Sequence, residues 1–249
     1  PDTQHTEIDR FFIELATRMT RDLDGIGIPL CRGHVMATNP IWRKTATQWH
    51  DQIALWCRRR SLVALRYSDI FFDFKAVYGE PDLAAVLRED VTRTVKSNPA
   101  FLRAMYEDDT EHGVALGWFC RFLTEKEDED HHGAINLKHT GTLPLVESLR
   151  LLALREGIPE TATLDRLSAL REKSLLETDE SDYLKGAYHH ITHLLLRQQI
   201  ADFKAGKSVS NYVHPDDLSR RERDILIDSF KAISRLRDRV RSDFTGDIF

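Results

Sequence analysis

Apolar residues recur at helical spacing along most of the chain. They predict a first helix over residues 7–23 and another over 81–96, which Pro81 can open because the first helical position does not need an N–H donor. From residue 99 onward the pattern predicts only helices, over these ranges: 99–108, 113–125, 143–156, 163–177, 182–205 and 215–243. The second half of the chain is therefore predicted to be a helical bundle.

Three tryptophans, Trp42, Trp49 and Trp56, follow one another at intervals of seven residues. That interval returns to the same side of a helix, so the three side chains are predicted to lie on one buried stripe. We interpret them as core residues rather than as a platform for a stacked ligand. Before them, residues 28–37 are predicted to be extended.

The segment LRYSDIFFDFKAVYG, residues 65–79, alternates in the manner of a buried β-strand. A period of two places five side chains on one face: Tyr67, Asp69, Phe71, Asp73 and Lys75. Burying an unpaired carboxylate is costly, so Asp69 and Asp73 are expected to have compensating partners. A basic side chain such as Lys75 and a bound metal ion are both compatible with the pattern.

The length and the amino-acid composition indicate a globular chain with one large or two ordinary domains. It has 249 residues, of which 41% are hydrophobic, enough for a substantial core. The change from mixed to purely helical patterning predicts a domain boundary near residue 97, between residues 1–97 and 98–249. The formal net charge is −5, which does not favour nucleic acid as a partner.

The spacing of the cysteines and the lengths of the apolar runs indicate the cellular compartment of the protein. Cys31, Cys57 and Cys120 lack the spacing of a zinc site or a disulfide framework. No apolar run reaches the roughly 20 residues of a membrane helix, and the start lacks the features of a signal peptide. These features predict a cytoplasmic chain without membrane contact, and the lack of an initiator Met suggests part of a longer protein.

Two further patterns have ordinary structural interpretations. His189 and His193 are separated by four residues, as zinc ligands on a helix can be, but no glutamate lies in the position that H-E-x-x-H requires. We interpret them as residues of a packed or exposed helix face. In the last predicted helix, arginines alternate with aspartates, which is typical of a salt-bridged bundle helix rather than of a nucleic-acid arm.

Four segments together resemble a family of nucleotidyltransferase-like proteins. That family is similar to bacterial PII-protein uridylyltransferase and is commonly attached behind cyclic-nucleotide-binding and CBS domains. The segments are CRGHVMATNPIW (31–42), DIFFDFKAVYG (69–79), INLKHTGTLPLVESLRLLALREGI (135–158) and LLLRQQI (194–200). The resemblance covers nearly the whole chain.

The resemblance implies an α+β, mostly α fold. The later part of a polymerase-β-like nucleotidyltransferase domain, with a mixed sheet, would be followed by an all-α helical bundle that acts as its substrate-binding or regulatory companion. It implies that Asp73 is the third metal-binding acid of the catalytic site, with Asp69 as a weaker catalytic candidate. Lys138, and also Lys75, would contact the nucleotide.

The implied reaction is transfer of UMP or AMP from a nucleoside triphosphate, ATP or UTP, to an acceptor hydroxyl with release of pyrophosphate. The acceptor would be a regulatory protein, and Mg²⁺ or Mn²⁺ would be the cofactor. Regulatory domains upstream would be further partners. Arg150 and Gln198 are expected to form interdomain hydrogen bonds.

The chain departs from the family pattern at one decisive place. It contains no Gly-Ser turn followed by D-x-D, which would supply the other two acids and the triphosphate loop. The segment given is therefore expected to be inactive alone and to need its upstream part for transfer. The alternative is a catalytically inactive signal-transduction or protein-binding module with the same fold.

Overall fold

The computed structural model describes residues 7–110 and 112–246. The helices are α1 (Glu7–Gly25), α2 (Ala46–Arg59), α3 (Leu62–Phe71), α4 (Pro81–Lys96), α5 (Pro99–Asp109), α6 (Leu143–Glu156), α7 (Thr163–Glu172), α8 (Thr178–Lys204) and α9 (Arg220–Thr245). Strands β1 (Ile135–Asn136) and β2 (Tyr212–Val213) pair antiparallel. The predicted class, mostly α with a small β component, is confirmed. Residues 1–6, at the start used above to exclude a signal peptide, lie outside the described residues.

The chain divides into two compact units, one that ends at Gln52 and one that begins at Ile53. Helix α2 runs across the division. In the first unit Arg43 joins α1 to the following loop, because its Nε lies 2.9 Å from Asp9 Oδ1 and its Nη1 lies 2.7 Å from the carbonyl oxygen of Ala37. The predicted domain boundary near residue 97 stays a prediction.

The second unit is organised around α6. Nine of the fourteen residues of this helix are buried, and α4, α5, α7 and α9 all contact it. A helix that is buried nearly all round must bury its polar residues too, and each of these then needs a partner. Gly157 ends α6 in the left-handed conformation, with φ of 69°, which glycine adopts without steric cost.

The strand predicted over residues 65–79 is wrong, because the first part of this segment is helix α3. Ser61 caps α3 by accepting a hydrogen bond from the backbone N–H of Ala64. The buried residues of α3 and its C-cap follow helical spacing: Ala64, Leu65, Ser68, Phe71 and Phe72. The same residues had suggested the alternation of a β-strand, because a short apolar run fits both the helical period of about 3.6 residues and the strand period of two.

Three other local predictions are also wrong. Residues 113–125 form no α-helix: an isolated antiparallel bridge joins Leu116 to Phe122 around a single 3₁₀ turn. Residues 28–37 are not continuously extended, because a turn lies at residues 32–33 and His34 has a positive φ of 55°. Trp42 lies in a separate 3₁₀ turn before α2, so only Trp49 and Trp56 share the helix, where both are buried.

The remaining predicted helices are confirmed, with shifts of a few residues at their ends. α9 begins with a capping box in which Ser219 and Glu222 satisfy each other's backbone N–H groups. α7 ends at Glu172, five residues earlier than predicted, because the chain turns through Ser174 at a positive φ of 57°.

Candidate functional site

Helix α6, in the second unit, bears an arginine, Arg150, whose guanidinium group contacts two carboxylates. Arg150 Nη1 donates to Asp69 on α3, and Arg150 Nη2 donates to Asp73 Oδ2 at 2.8 Å. Its side chain is 12% exposed. Burial disfavours its charge, but Asp69 and Asp73 outweigh that effect and raise the pKa of Arg150 above its ordinary value.

A second arginine, Arg166 on α7, reaches the other oxygen of Asp73. Its Nη2 donates to Asp73 Oδ1, and its Nε donates to the carbonyl oxygen of Glu160 at 2.9 Å. Arg166 is only 2% exposed, and burial lowers its pKa although Asp73 opposes that shift. Asp73 is thus held between two guanidinium groups and links α6 with α7.

Arg88 on α4 is the third arginine of the cluster, and it hydrogen-bonds to backbone carbonyl oxygens rather than to a carboxylate. Its Nη1 and Nη2 donate to the carbonyl oxygens of Phe72 and Phe74, at 2.6 and 2.9 Å, and its guanidinium carbon lies 4.0 Å from the centre of the Phe74 ring. Burial lowers the pKa of Arg88 to about 10, while the charge of Asp73 acts in the opposite direction. The cluster therefore holds three cationic groups and two carboxylates.

Arg88 also lines an open groove of about 840 Å³ between α4 and the segment after α6. Two more cationic side chains line the groove. Arg93 Nη2 lies 2.9 Å from Asp90 Oδ1, and Lys96 Nζ donates to the carbonyl oxygen of Glu156 at 3.1 Å. A groove of this volume lies within the range of small-molecule sites. Its lining has three cations against one carboxylate, Glu89, and this excess of positive charge suits an anionic ligand.

Two further carboxyls lie nearby: Glu147 is buried, and Asp109 is half-buried with its Oδ2 atom buried. Burial raises the pKa of Asp109 to about 8, with a smaller contribution from the charge of Asp69. Burial likewise raises the pKa of Glu147 to about 8, followed by the charges of Asp109 and Asp69. His112 Nδ1 lies 3.1 Å from Glu147 Oε1, and its ring centre lies 5.6 Å from that of His139.

Asp73, the predicted metal-binding acid, is surrounded by arginines rather than by other possible metal ligands. Both oxygens of Asp73 accept hydrogen bonds from arginines, and Asp69 shares Arg150 with it. Among residues 7–110 and 112–246, no group of three or more His, Cys, Asp or Glu side chains is arranged to hold a metal ion. The residues present do not fit Mg²⁺, so the role of Asp73 as a metal ligand stays a prediction.

The predicted nucleotide-binding lysines are both exposed and lie on different segments. Lys75 follows α3 in the connection to α4. Lys138 opens a π-helical turn, Lys138–Thr142, that leads from β1 into α6. Asn136 shapes this turn, since its Oδ1 accepts from the backbone N–H of His139 at 3.2 Å. Neither lysine side chain forms an ion pair or a hydrogen bond with another described residue, and their assignment stays a prediction.

Of the two residues expected to form interdomain hydrogen bonds, Arg150 binds carboxylates that lie before the predicted boundary. Gln198 does not fulfil that expectation, because its Nε2 donates to Asp202 of the same helix at 2.8 Å. His189 and His193 are both exposed on α8.

Sequence reasoning missed two arginines of the cluster, Arg88 and Arg166, and the two carboxyls near it, Asp109 and Glu147. Glu147 had a detectable signal, since it interrupts an otherwise apolar stretch, LPLVESLRLL, that is too hydrophobic for a surface helix. The others had none, because a lone charged residue at helical spacing usually lies on a solvated face.

Two family models match separate parts of the chain. Residues 99–244 match the family described as "Putative nucleotidyltransferase substrate binding domain". Residues 1–62 match the family described as "Putative nucleotidyltransferase DUF294". No curated protein and no solved structure matches the chain.

Within the described residues, no helix combines the length and the apolar character that crossing a membrane would require. The first family match includes more than half of the chain and contains α5 to α9, with Glu147, Arg150 and Arg166. The chain therefore belongs to the family of nucleotidyltransferase substrate-binding domains.

Proposed function

We propose that this chain serves nucleotidyl transfer, by binding the phosphates of a substrate in the groove lined by Arg88, Arg93 and Lys96. The observation that carries the proposal is the placement of these three cations along one groove of about 840 Å³ beside the arginine cluster. Arg88 matters most, because its guanidinium has carbonyl oxygens but no carboxylate as hydrogen-bond partners. A phosphate oxygen would therefore not have to displace a carboxylate hydrogen-bonded to this guanidinium, although the charge of Asp73 also acts on it.

The reaction proposed for the intact protein follows the PII-uridylyltransferase resemblance. The oxygen of an acceptor hydroxyl, on a regulatory protein, forms a bond to the α-phosphorus of ATP or UTP. The bond from that phosphorus to the bridging oxygen breaks, pyrophosphate leaves, and the hydroxyl proton passes to a base. The groove cations would hold the negatively charged phosphates in place, which positions the reacting atoms without forming a covalent bond.

The role of a divalent cation is proposed from the resemblance alone. Mg²⁺ or Mn²⁺ would neutralise charge on the triphosphate. The upstream segment with the Gly-Ser turn and D-x-D would have to supply acids, since Asp69 and Asp73 face arginines. Lys138 and Lys75 are proposed as additional, mobile contacts to the nucleotide.

The first test measures nucleotide binding by the chain and by the intact protein that contains it. ATP and UTP are expected to raise the melting temperature, because a ligand that binds only the folded state stabilises it. Arg88→Met is expected to reduce that shift by more than half. Arg103→Met, on the exposed face of α5, is the control and should keep the full shift.

Transfer itself is tested with the intact protein and α-labelled ATP or UTP. Label on a protein acceptor, together with released pyrophosphate, supports the proposal. If no nucleotide raises the melting temperature of either protein, or if Arg88→Met responds as fully as the parent, the groove does not bind phosphates.

A second candidate is a module that binds proteins and does not catalyse transfer. It is favoured by the arginine contacts of Asp73, which occupy both carboxylate oxygens. Under this alternative the intact protein would bind its regulatory partner but leave it unlabelled with every nucleotide.

A further inference from the structure

A short hairpin in the second unit presents two large aromatic side chains to the solvent. Trp118 and Phe119 lie in its turn, and they are 89% and 99% exposed. Single apolar residues are common at protein surfaces, whereas neighbouring exposed aromatic side chains are typical of an interaction surface. Residues 118–121, here called the aromatic tip, are therefore a candidate contact surface.

The aromatic tip is an ordered turn. Two backbone hydrogen bonds, of 2.8 and 3.0 Å, close the hairpin on either side of its bridge. At the base of the hairpin, the ring of Phe122 packs edge-on against that of Phe230 on α9, with 6.2 Å between the ring centres. Phe119 and Cys120 both have a φ of 58°, the left-handed conformation that residues with a side chain rarely adopt. The chain thus holds the two rings in solvent at a cost in backbone energy, which is typical of functional segments.

A groove between α8 and α9 can receive side chains of this kind. Its volume is about 510 Å³. A cavity of roughly 150 Å³ accommodates one benzene ring, so the groove has room for the three rings of Trp118 and Phe119. Gly186 keeps the groove open, since a Cβ at this position would have no atom within 4 Å. The lining of this α8–α9 groove also includes Asp179, Asp182, Tyr183, Ile225 and Asp228.

The aromatic tip and the α8–α9 groove carry opposite charges that the chain does not compensate. Arg121, at the end of the tip, is exposed and forms no ion pair with a residue in the described ranges. The same is true of Asp179 and Asp182 at the groove. The third aspartate, Asp228, is compensated, because its Oδ1 lies 3.2 Å from Lys231 Nζ. Two carboxylates of the groove therefore remain for an arginine of another molecule.

Both features border the same stretch of α9. The aromatic tip lines a further groove together with Asp224 and Ile227. Ile225 and Asp228, on the adjoining side of the helix, line the α8–α9 groove. The chain therefore presents a projecting surface and a receiving surface next to each other, as the self-complementary interface of a two-fold dimer requires.

We infer that two copies of this chain form a two-fold dimer, in which the aromatic tip of each copy inserts into the α8–α9 groove of the other. Trp118 and Phe119 would pack against Tyr183 and Ile225, and Arg121 would pair with the free aspartates of the groove. A second copy fits this surface better than an unrelated protein, because the chain itself provides both of the complementary halves.

The area available is sufficient for a stable dimer. Four aromatic side chains from two tips, each burying about 150–250 Å², together with the groove surfaces that receive them, would bury about 1,200–2,000 Å² in total. This area is that of a standard specific interface. The cations of the proposed nucleotide groove lie on α4 and take no part in it. Dimer formation is therefore independent of nucleotide binding.

The test is sedimentation velocity of the full chain without nucleotide. Concentrations of about 1–100 μM are suitable, because interfaces of this size have Kd values in the micromolar range or tighter. The parent is expected to sediment as a dimer at the upper end of this range.

Three variants locate the interface. Trp118→Ser combined with Phe119→Gly removes both rings of the tip, and glycine suits the positive φ at position 119. Gly186→Arg fills the groove and can pair with Asp182, one turn earlier on α8. Each is expected to weaken dimerisation at least about tenfold, as the loss of a central aromatic contact does. Arg121→Asp sets like charges against each other and should have a similar effect.

Two control variants should dimerise as the parent does. Tyr78→Ser removes a fully exposed aromatic side chain from the connection between α3 and α4. His193→Arg adds a cation to the exposed surface of α8 outside the groove. Melting curves of all the variants establish that each is folded.

The outcomes separate this dimer from other arrangements. A parent chain that stays monomeric throughout the range would overturn the inference and assign the aromatic tip to a different protein partner. Full dimerisation of the folded Gly186→Arg variant would also overturn it, since the tips would then pair with each other rather than with the groove. The same conclusion follows if the folded tip variant dimerises as fully as the parent. Nucleotide binding is measured separately, so failure of the dimer is distinguishable from failure of the proposed transfer function.

Discussion

At the scale of single residues, the second unit depends on how its buried charges are compensated. Arg166 is 2% exposed and Asp73 is 30% exposed, so the arginine has lost far more hydration than its partner. A buried charge that loses its partner is more costly than an exposed one, because water cannot replace the lost contact. Asp73 consequently stabilises two guanidinium groups whose burial would otherwise be unfavourable.

Asp73→Asn is expected to lower the free energy of unfolding by about 2–4 kcal/mol, since Arg150 and Arg166 then lose a shared counterion. Arg166→Met should cost less, because Asp73 keeps Arg150 and some contact with water. Urea denaturation measures both. Asp182→Asn, on an exposed part of α8, is the control and should stay within about 0.5 kcal/mol of the parent. A larger loss for Arg166→Met than for Asp73→Asn would contradict this account.

The stability of the chain should fall as the pH rises. The folded state keeps protons on Asp109 and Glu147 up to a pKa of about 8, whereas an unfolded carboxyl loses its proton near pH 4. Between these values the folded state binds more protons, so each carboxyl lowers stability by up to about 1.4 kcal/mol per pH unit. Glu147→Gln should flatten this slope. Urea midpoints between pH 5 and pH 9 that run parallel for both proteins would exclude Glu147 as the cause.

At the scale of elements, the connection from β1 into α6 sets the position of the candidate residues. The π-helical turn Lys138–Thr142 passes close to α8, because Gly141 is buried against Ile191. A Cβ at Gly141 would lie 3.0 Å from Ile191 Cγ2, and Ile191 is fully buried. The absence of a side chain at Gly141 is therefore what permits this approach.

Gly141→Ala is expected to destabilise the chain by about 1–3 kcal/mol through overpacking. Gly186→Ala provides the matched control, because this helical glycine on α8 has no atom within 4 Å of the added Cβ. It should stabilise the chain by about 0.5–1 kcal/mol through helix propensity. Thermal unfolding of both variants gives the comparison, and equal effects would show that the turn can move away from α8.

At the scale of the whole molecule, the second unit has the core of an independent domain. Its fully buried side chains come from many separate elements, among them Phe101, Leu145, Ile191, Leu226 and Phe230. Helix α6 lies at the centre of this core. Domains with a core of their own can in principle fold without the rest of the chain.

A chain that begins at residue 46 keeps α2 intact and should still unfold in one cooperative transition. Its melting temperature is expected within about 5 °C of the parent, because the core of the second unit is retained. Differential scanning calorimetry tests this. Loss of the cooperative transition would show that the first unit is required for folding.

The sequence predicted the helices well where the apolar period was long. α1, α4, α6, α8 and α9 each show several turns of repeating apolar residues, and their ends carry capping signals. It failed at α3 and at residues 113–125, where the apolar runs are short. In such runs the helical and extended periods select nearly the same residues, and contacts with distant segments decide between them.

The sequence by itself therefore determined the helical class, most of the element boundaries and the family. These depend on local periodicity, capping and motif order, which are all properties of neighbouring residues. Only the tertiary structure decided that Asp69 and Asp73 face Arg150 and Arg166, and that Asp109, Glu147 and Arg237 line one cavity. The partners of these charges lie far apart in the sequence, and no local pattern specifies which helices bring them together.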